Sequence, residues 1–383
     1  MPSPFVLFVS FVDLNSVFKM KSAVQVAVHD LSQADAWREA LAAFAPDDDV
    51  YFAPEYLAAH ETAGLGRAEC VSVVEGDSRL LLTYLRCAIP GHAALCDVQS
   101  PNGYGGALVR GGSDDFLARA WAAVFECWRE RAVVAAFLRC HPLLGNANAH
   151  RGAWQLTHDR NTVAIDLRGG LDAAFGGPLA AKHRRDAARV LRSGYATREL
   201  PDAMRAIDAF IPFYERSMAR VGADDAYFFP REYYESLITG LGTRVSIFEV
   251  ADDRSSEAAS MGLAMWGRRW AHYHLSASVL DVPGLNFSHA LLQGIAEAAV
   301  AHGCEMLHLG GGRTAAPDDA LLRFKRWIGR HELPFHTAGR VIDEAAYCGL
   351  IAEWSGRYGA SPRWFLGYRQ PFARIQVTAD PTT

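Results

Sequence analysis

The sequence predicts a mixed α/β protein built from two tandem units of the same kind. Three observations carry that expectation. The chain has 383 residues, 50% of them hydrophobic and 21% charged, which suits about two domains, each with its own core. Segments of helical period alternate with short β-rich runs. Their order, helix, helix, hairpin, strand, loop, helix, strand, occurs once in each half, as a tandem duplication would leave it.

In the first half, Ser32 to Phe44 has apolar residues at helical spacing behind a Ser/Asp-rich start. A second short helix starts at Tyr51 to Tyr56. Cys70 to Val74 and Leu80 to Ala88 flank Gly76-Asp77 and read as a hairpin. Leu95 to Val98 is a further strand before the turn Ser100 to Gly106. Asp115 to Arg131 is a helix with Trp121, Phe125 and Trp128 on its buried side. Val133 to Arg139 and Thr162 to Leu167 are strands, and Gly169-Gly170 is the linker.

In the second half, Ala181 to Ser193 is a very basic helix. Pro201 to Val221 is a long helical stretch with a kink expected at Pro212. Pro230 to Thr239 is a short helix. Arg244 to Ala251 and Ser260 to Trp266 form a hairpin, and Trp270 to Ser276 is a third strand. Phe287 to His302 is a helix and Met306 to Leu309 a strand. The expected division is residues 20–168 and 169–352, with 353–378 packing back on the first unit. Residues 1–19 carry the apolar run Pro4 to Val12, too short for a bilayer span. They are expected to be a non-native or disordered extension before Met20-Lys21.

Composition narrows the function. The net charge of −5 and pI near 6.3 do not favour non-specific nucleic-acid binding, although one local basic patch remains compatible. The seven cysteines are scattered without a CxxC pair, as in reduced, mostly buried thiols of a cytoplasmic protein. Cys140-His141 lacks metal-ligand spacing, so no zinc site is expected. No Gly-x-Ser-x-Gly elbow, kinase set or Rossmann fingerprint is present.

Several segments carry a resemblance. They are Tyr51 to Tyr56, Ser100 to Gly106, Arg139 to Leu144, Lys182 to Arg185, Tyr273 to Ser278, Leu309 to Gly312, Phe324-Lys325 and the closing Phe365 to Arg369. In this order, over about residues 30 to 370, they resemble the Fem-type aminoacyltransferases and relatives with a GNAT-like, BioF-type acetyltransferase domain. The resemblance implies two tandem GNAT-like domains and amide formation between an activated acyl ester and an amine. In the peptidoglycan branch the donor is an aminoacyl-tRNA and the acceptor an amine on a cell-wall precursor. Asp172 to Leu191 leaves no room for the helical arm of some members, so tRNA contact through such an arm is not expected.

A coenzyme A acetyltransferase of this superfamily carries Arg/Gln-x-x-Gly-x-Gly/Ala before its long helix, where backbone N–H groups hold the pyrophosphate. Here Val279 to Asn286 has one glycine, one proline and Asp281. The loop therefore argues against acetyl-CoA, the alternative being a divergent loop that still binds it. The resemblance implies a functional lysine at Lys325, set against a solvated helix charge. Such a lysine at the mouth of the site suits an oxyanion or a donor phosphate. His289 has two readings, a base for the amine and a structural histidine; an aminoacyl ester also reacts by positioning alone. Lys182, Arg185, Arg189 and Arg192 fall on one helix side, which is either a phosphate face or a solvated one, and Arg220 extends it. Tyr104 lies in a glycine turn and Arg139, with His141, at a strand end; both are acceptor contacts or plain surface features. Tyr273, Ser276 and Gly311 line the expected cleft. Asn286, like Ser288, is an N-cap or a ligand contact.

The expected function is thus aminoacyl-tRNA-dependent transfer to an amine of a peptide, nucleotide-linked precursor or natural-product intermediate. No cofactor and no membrane span are expected. The alternatives are an acyl-CoA-dependent N-acyltransferase and a non-catalytic ligand-binding duplicate.

Overall fold

The computed structural model describes residues 24–252, 257–278 and 282–371. Residues 1–19 and the Val279 to Asp281 part of the donor loop lie outside them.

The first half runs β1 (Gln25–Asp30), α1 (Ala34–Ala42), α2 (Pro54–Thr62), β2 (Arg67–Glu75), β3 (Ser78–Ile89), β4 (His92–Gln99), β5 (Leu108–Arg110), α3 (Asp114–Glu130), β6 (Val133–Arg139) and β7 (Gln155–Asp166). The second runs α4 (Gly170–Phe175), α5 (Ala181–Arg192), β8 (Tyr195–Glu199), α6 (Ala203–Arg220), α7 (Arg231–Leu241), β9 (Val245–Asp252), β10 (Ala258–Trp266) and β11 (Trp270–Ser278). It ends with α8 (Phe287–Ala301), β12 (Met306–Gly311), α9 (Ala320–Arg326), β13 (His331–Val341) and α10 (Glu344–Tyr358).

The strands form one continuous sheet in the order β1-β2-β3-β4-β6-β13-β7-β12-β11-β10-β9-β8, with β5 on β3. The pairs β4–β6 and β11–β12 are parallel, and every other pairing is antiparallel. The order exposes an exchange. β13 belongs to the second half in sequence but lies beside β6 of the first. β7 belongs to the first half but lies beside β12 of the second.

Local sequence explains most elements. Ser113 caps α3 through the Phe116 N–H, and Phe116, Trp121, Val124 and Trp128 bury its inner face on the sheet. Leu291, Leu292 and Ile295 do the same for α8, at about 1.5–3 kcal/mol for each fully buried side chain. A third core joins the halves: Trp37, Phe52 and Tyr56 pack with Phe210, Tyr233 and Leu263. Pro212 lies inside α6.

β1, β8, β13 and α10 were not expected from the sequence, and β7 is longer than expected. Gln155 to Asn161 is polar, and β13 contains Pro334. Neither alternates cleanly, and their mutual pairing, from His331↔Ala164 to Gly339↔Gln155, makes them strands. The chain end packs on the first half, where Tyr368 and Arg369 bind Asp97 and Trp354 donates to Gln370 O. All seven cysteines are free. Among the described residues no helix is long and apolar enough to cross a membrane.

Candidate functional site

β11 and β12 pair in parallel only at Trp270↔Met306, Ala271↔Leu307 and His272↔His308. Beyond these pairs both strands carry an extra residue. His274 is skipped between Leu263 and Ala264 of β10, and Leu309 is skipped between Ala164 and Val163 of β7. Bulges bend and re-aim strands, so the two strands part from His274 and Leu309 onward. Gly310 follows the skipped Leu309 and still pairs with Val163; its φ of +74° is a left-handed bulge conformation that glycine adopts without strain.

Lys325 reaches this end of β12 from α9, which Asp319 caps through the Leu322 N–H. Its Nζ donates to Gly311 O at 2.7 Å. A Cβ on Gly310 would lie 3.4 Å from that Nζ and 3.8 Å from the Tyr104 hydroxyl, so lysine and tyrosine converge on one glycine. Lys325 is 8% exposed, which corrects the reading of it as a solvated helix charge. Burial is the main reason its pKa falls to about 7; Asp319 opposes the fall and Arg160 adds to it. Arg160 itself donates to Gly312 O and Arg313 O at 2.9 and 3.0 Å.

Around Tyr104 lies a cluster of rings from both halves. Tyr104 meets Tyr51, His141, His308 and Phe335 edge-on, with centroids 4.9–5.6 Å apart. His274 bridges two tyrosines, with the Tyr51 hydroxyl 3.3 Å from Nδ1 and the Tyr233 hydroxyl 3.2 Å from Nε2. Tyr56 donates to Asn102 O. Burial lowers the pKa of His274 to about 3 and of His60 to about 4, so both are neutral imidazoles. Burial raises the phenols of Tyr51, Tyr56 and Tyr104, which remain donors.

The expected site residues divide. Lys325, Gly311 and Tyr104 come together. Arg139 is close enough to act on the ionisation of Tyr56 and Tyr104; its Nη1 donates to Ser100 O at 3.3 Å. Tyr273 packs against the α8 core, its pKa raised by burial to about 12 with Ser276 opposing. Asn286 holds the N-cap position of α8 without a side-chain cap bond. Ser288 bonds Ser278 at 2.9 Å.

His289 is buried between α5 and α8. Its Nδ1 is 2.9 Å from His183 Nδ1, and Asp186 is 3.5 Å from Nε2. Burial lowers its pKa to about 4, and its ring packs on Phe324. None of these contacts reaches the Lys325 amine. On α5, Lys182 pairs with Asp186 and lies over the Trp327 ring at 5.0 Å. Arg189 contacts Asp186 and donates to Gly284 O at 3.1 Å, and Arg220 donates to Ser278 O at 2.7 Å. Arg185 and Arg192 are exposed.

Asp49, Tyr51, Tyr233, His272, His274 and His308 were not selected from the sequence as site residues. One signal was legible: His272 and His274 in WAHYHLS, with His308 in LHLG, put imidazoles into otherwise apolar strands. A groove of about 530 Å³ lined by Arg38, Glu55, Glu232 and Glu235 among others shares no residue with this cluster.

Residues 180–326 match the family described as an acetyltransferase (GNAT) domain. The crystal structure of FemX superposes with a TM-score of 0.62, covering 81% of this chain and 97% of that one at 13% identity. The structure of L-PGS from Bacillus licheniformis gives 0.53, with 79% and 91% covered at 14% identity. At such identities the likeness is one of fold, and it agrees with the resemblance drawn from the motifs. No curated protein matches the sequence.

Proposed function

We propose that this chain, whose residues 180–326 match a GNAT acetyltransferase domain, is an amide-forming acyltransferase. Its donor is an aminoacyl-tRNA. Its acceptor is an amine on a peptide, a nucleotide-linked precursor or a natural-product intermediate. The second half, residues 169–352, supplies the acyl-transfer centre, and the first half contributes Tyr104. The observation that carries this reading is the buried Lys325 amine at the parting of β11 and β12, 2.7 Å from Gly311 O and facing Gly310 with Tyr104.

The chemistry follows from that amine. The acceptor nitrogen attacks the ester carbonyl, and the carbonyl oxygen takes the electron pair. The Lys325 ammonium opposes that charge where burial weakens screening. As the C–O bond breaks, the leaving ribose oxygen takes a proton from Lys325, and the new amide nitrogen returns one to it. A pKa of about 7 suits a group that gives and regains a proton near neutrality.

Two features favour tRNA over coenzyme A. The described part of the donor loop, Val282-Pro283-Gly284-Leu285-Asn286, has a single glycine, and Arg189 occupies Gly284 O. The exposed Arg185 and Arg192 leave part of α5 open to a phosphate backbone. The second reading, a coenzyme A-dependent N-acyltransferase, is favoured by the description of the matching family. Incubation with charged total tRNA and mixed amine acceptors, followed by mass spectrometry, separates them. Ribonuclease-sensitive amide products are expected. Turnover that needs an acyl-CoA and ignores ribonuclease would replace the first reading with the second.

A further inference from the structure

Asp49, His141 and His272 come from the segment before Tyr51, from the end of β6 and from β11, so they span both halves. They are 2%, 1% and 1% exposed. One donor atom from each lies within 4.8 Å of the other two. His272 Nε2 is 3.0 Å from both Asp49 oxygens, and His141 Nε2 is 3.8 Å from Oδ1. A tetrahedral zinc with ligand bonds near 2.1 Å holds its donors roughly 3.4 Å apart. The spacings here straddle that value.

Two further observations point to an ion. His141 Nε2, the atom that faces Asp49, is buried without a hydrogen-bond partner, whereas buried polar atoms normally have one. A buried carboxylate also needs a compensating charge. The nearby arginines are engaged elsewhere: Arg268 pairs with Asp48, and Arg269 with Asp47 and Glu305. The carboxylate instead faces imidazoles and the Tyr51 N–H, which donates at 3.1 Å.

We infer that Asp49, His141 and His272 hold a divalent transition metal, zinc by preference, that ties the two halves together beneath the tyrosine–histidine cluster. Two imidazoles and a carboxylate are a donor set that zinc accepts. His308, with its ring 6.0 Å from His272 and its Nε2 also unpartnered, is a further imidazole close by. On binding, His141 Nδ1 takes up the ring proton and gives up its 3.4 Å contact with the Leu144 N–H. The ligands stand far apart in sequence, so no local motif announces them. The site does not depend on the acyl-transfer reading.

The test uses the full chain, stripped with a chelator and titrated with Zn²⁺ against a chromophoric competitor, with Co²⁺ as a spectroscopic probe. One Zn²⁺ per chain, tetrahedral Co²⁺ absorption and a Tm that rises with free Zn²⁺ are expected. Asp49→Asn and His272→Gln should each weaken binding by more than the roughly 10–100-fold that loss of a supporting partner costs. If these variants do not fold, the wild-type titration decides alone. Failure of the stripped wild type to take up Zn²⁺ stoichiometrically overturns the site. So does undiminished binding by a folded Asp49→Asn protein.

Discussion

Lys325 and Gly311 are joined by a 2.7 Å hydrogen bond from the lysine amine to the glycine carbonyl. This bond links α9 to the end of β12, and it fixes an amine where the central sheet opens. The position of the proposed reaction centre rests on it.

Replacing Lys325 with Met should lower turnover by roughly 10²-fold or more, as removal of an oxyanion partner does. The fold should survive, because Met fills a similar volume and removes a buried amine. Single-turnover kinetics and thermal melts check both halves of this expectation. Near-normal turnover with the true donor would remove Lys325 from the chemistry.

The same amine predicts a pH dependence. Its folded pKa of about 7 lies below the ordinary 10.5. Between those values the unfolded chain binds the extra proton, so folding stability rises with pH across that window. Below pH 7 both states are protonated and the full cost of the buried charge is felt. Asp319, Arg160, His308 and Tyr104 are the titratable or charged groups around it. Urea melts from pH 6 to 10 should show the wild type gaining stability relative to Lys325→Met, to an extent on the order of the shift. Parallel pH curves for the two proteins would contradict the assignment.

Arg185 and Arg192 are exposed on α5, whereas Lys182 and Arg189 are engaged with Asp186. Arg185→Ala should weaken donor binding and reduce the log–log salt slope by about 1. Titrations from low to moderate salt measure this. An unchanged slope would leave α5 as a solvated helix.

The exchange of β7 and β13 predicts that neither half is stable alone. Residues 24–168 would expose β6 without β13 and an unpaired β7, and open edges of that kind promote aggregation. Co-expression with residues 169–371 should restore a soluble complex. A monomeric, cooperatively melting first half would argue that the exchange contributes little.

How much was legible in advance can be judged from particular residues. The strand Val133–Arg139 and the helices around Trp121 and Leu291 were plain, because each buries one face and burial writes a period into the sequence. The Phe324-Lys325 pair was singled out by its resemblance to a motif, but its burial was not foreseen. A seven-residue helix carries too few apolar positions to reveal which way its lysine points.

The sequence by itself determined the α/β class and the duplicated order of elements. These follow from local periodicity. Tertiary structure alone decided three other things. It made polar Gln155 to Asn161 a strand by pairing it with β13. It enclosed His289 beside His183 and away from Lys325. It brought Asp49, His141 and His272 within 4.8 Å of one another. Each of these depends on contacts between residues distant in the chain. Such contacts leave no local period, because the partner that satisfies each group is supplied by the fold.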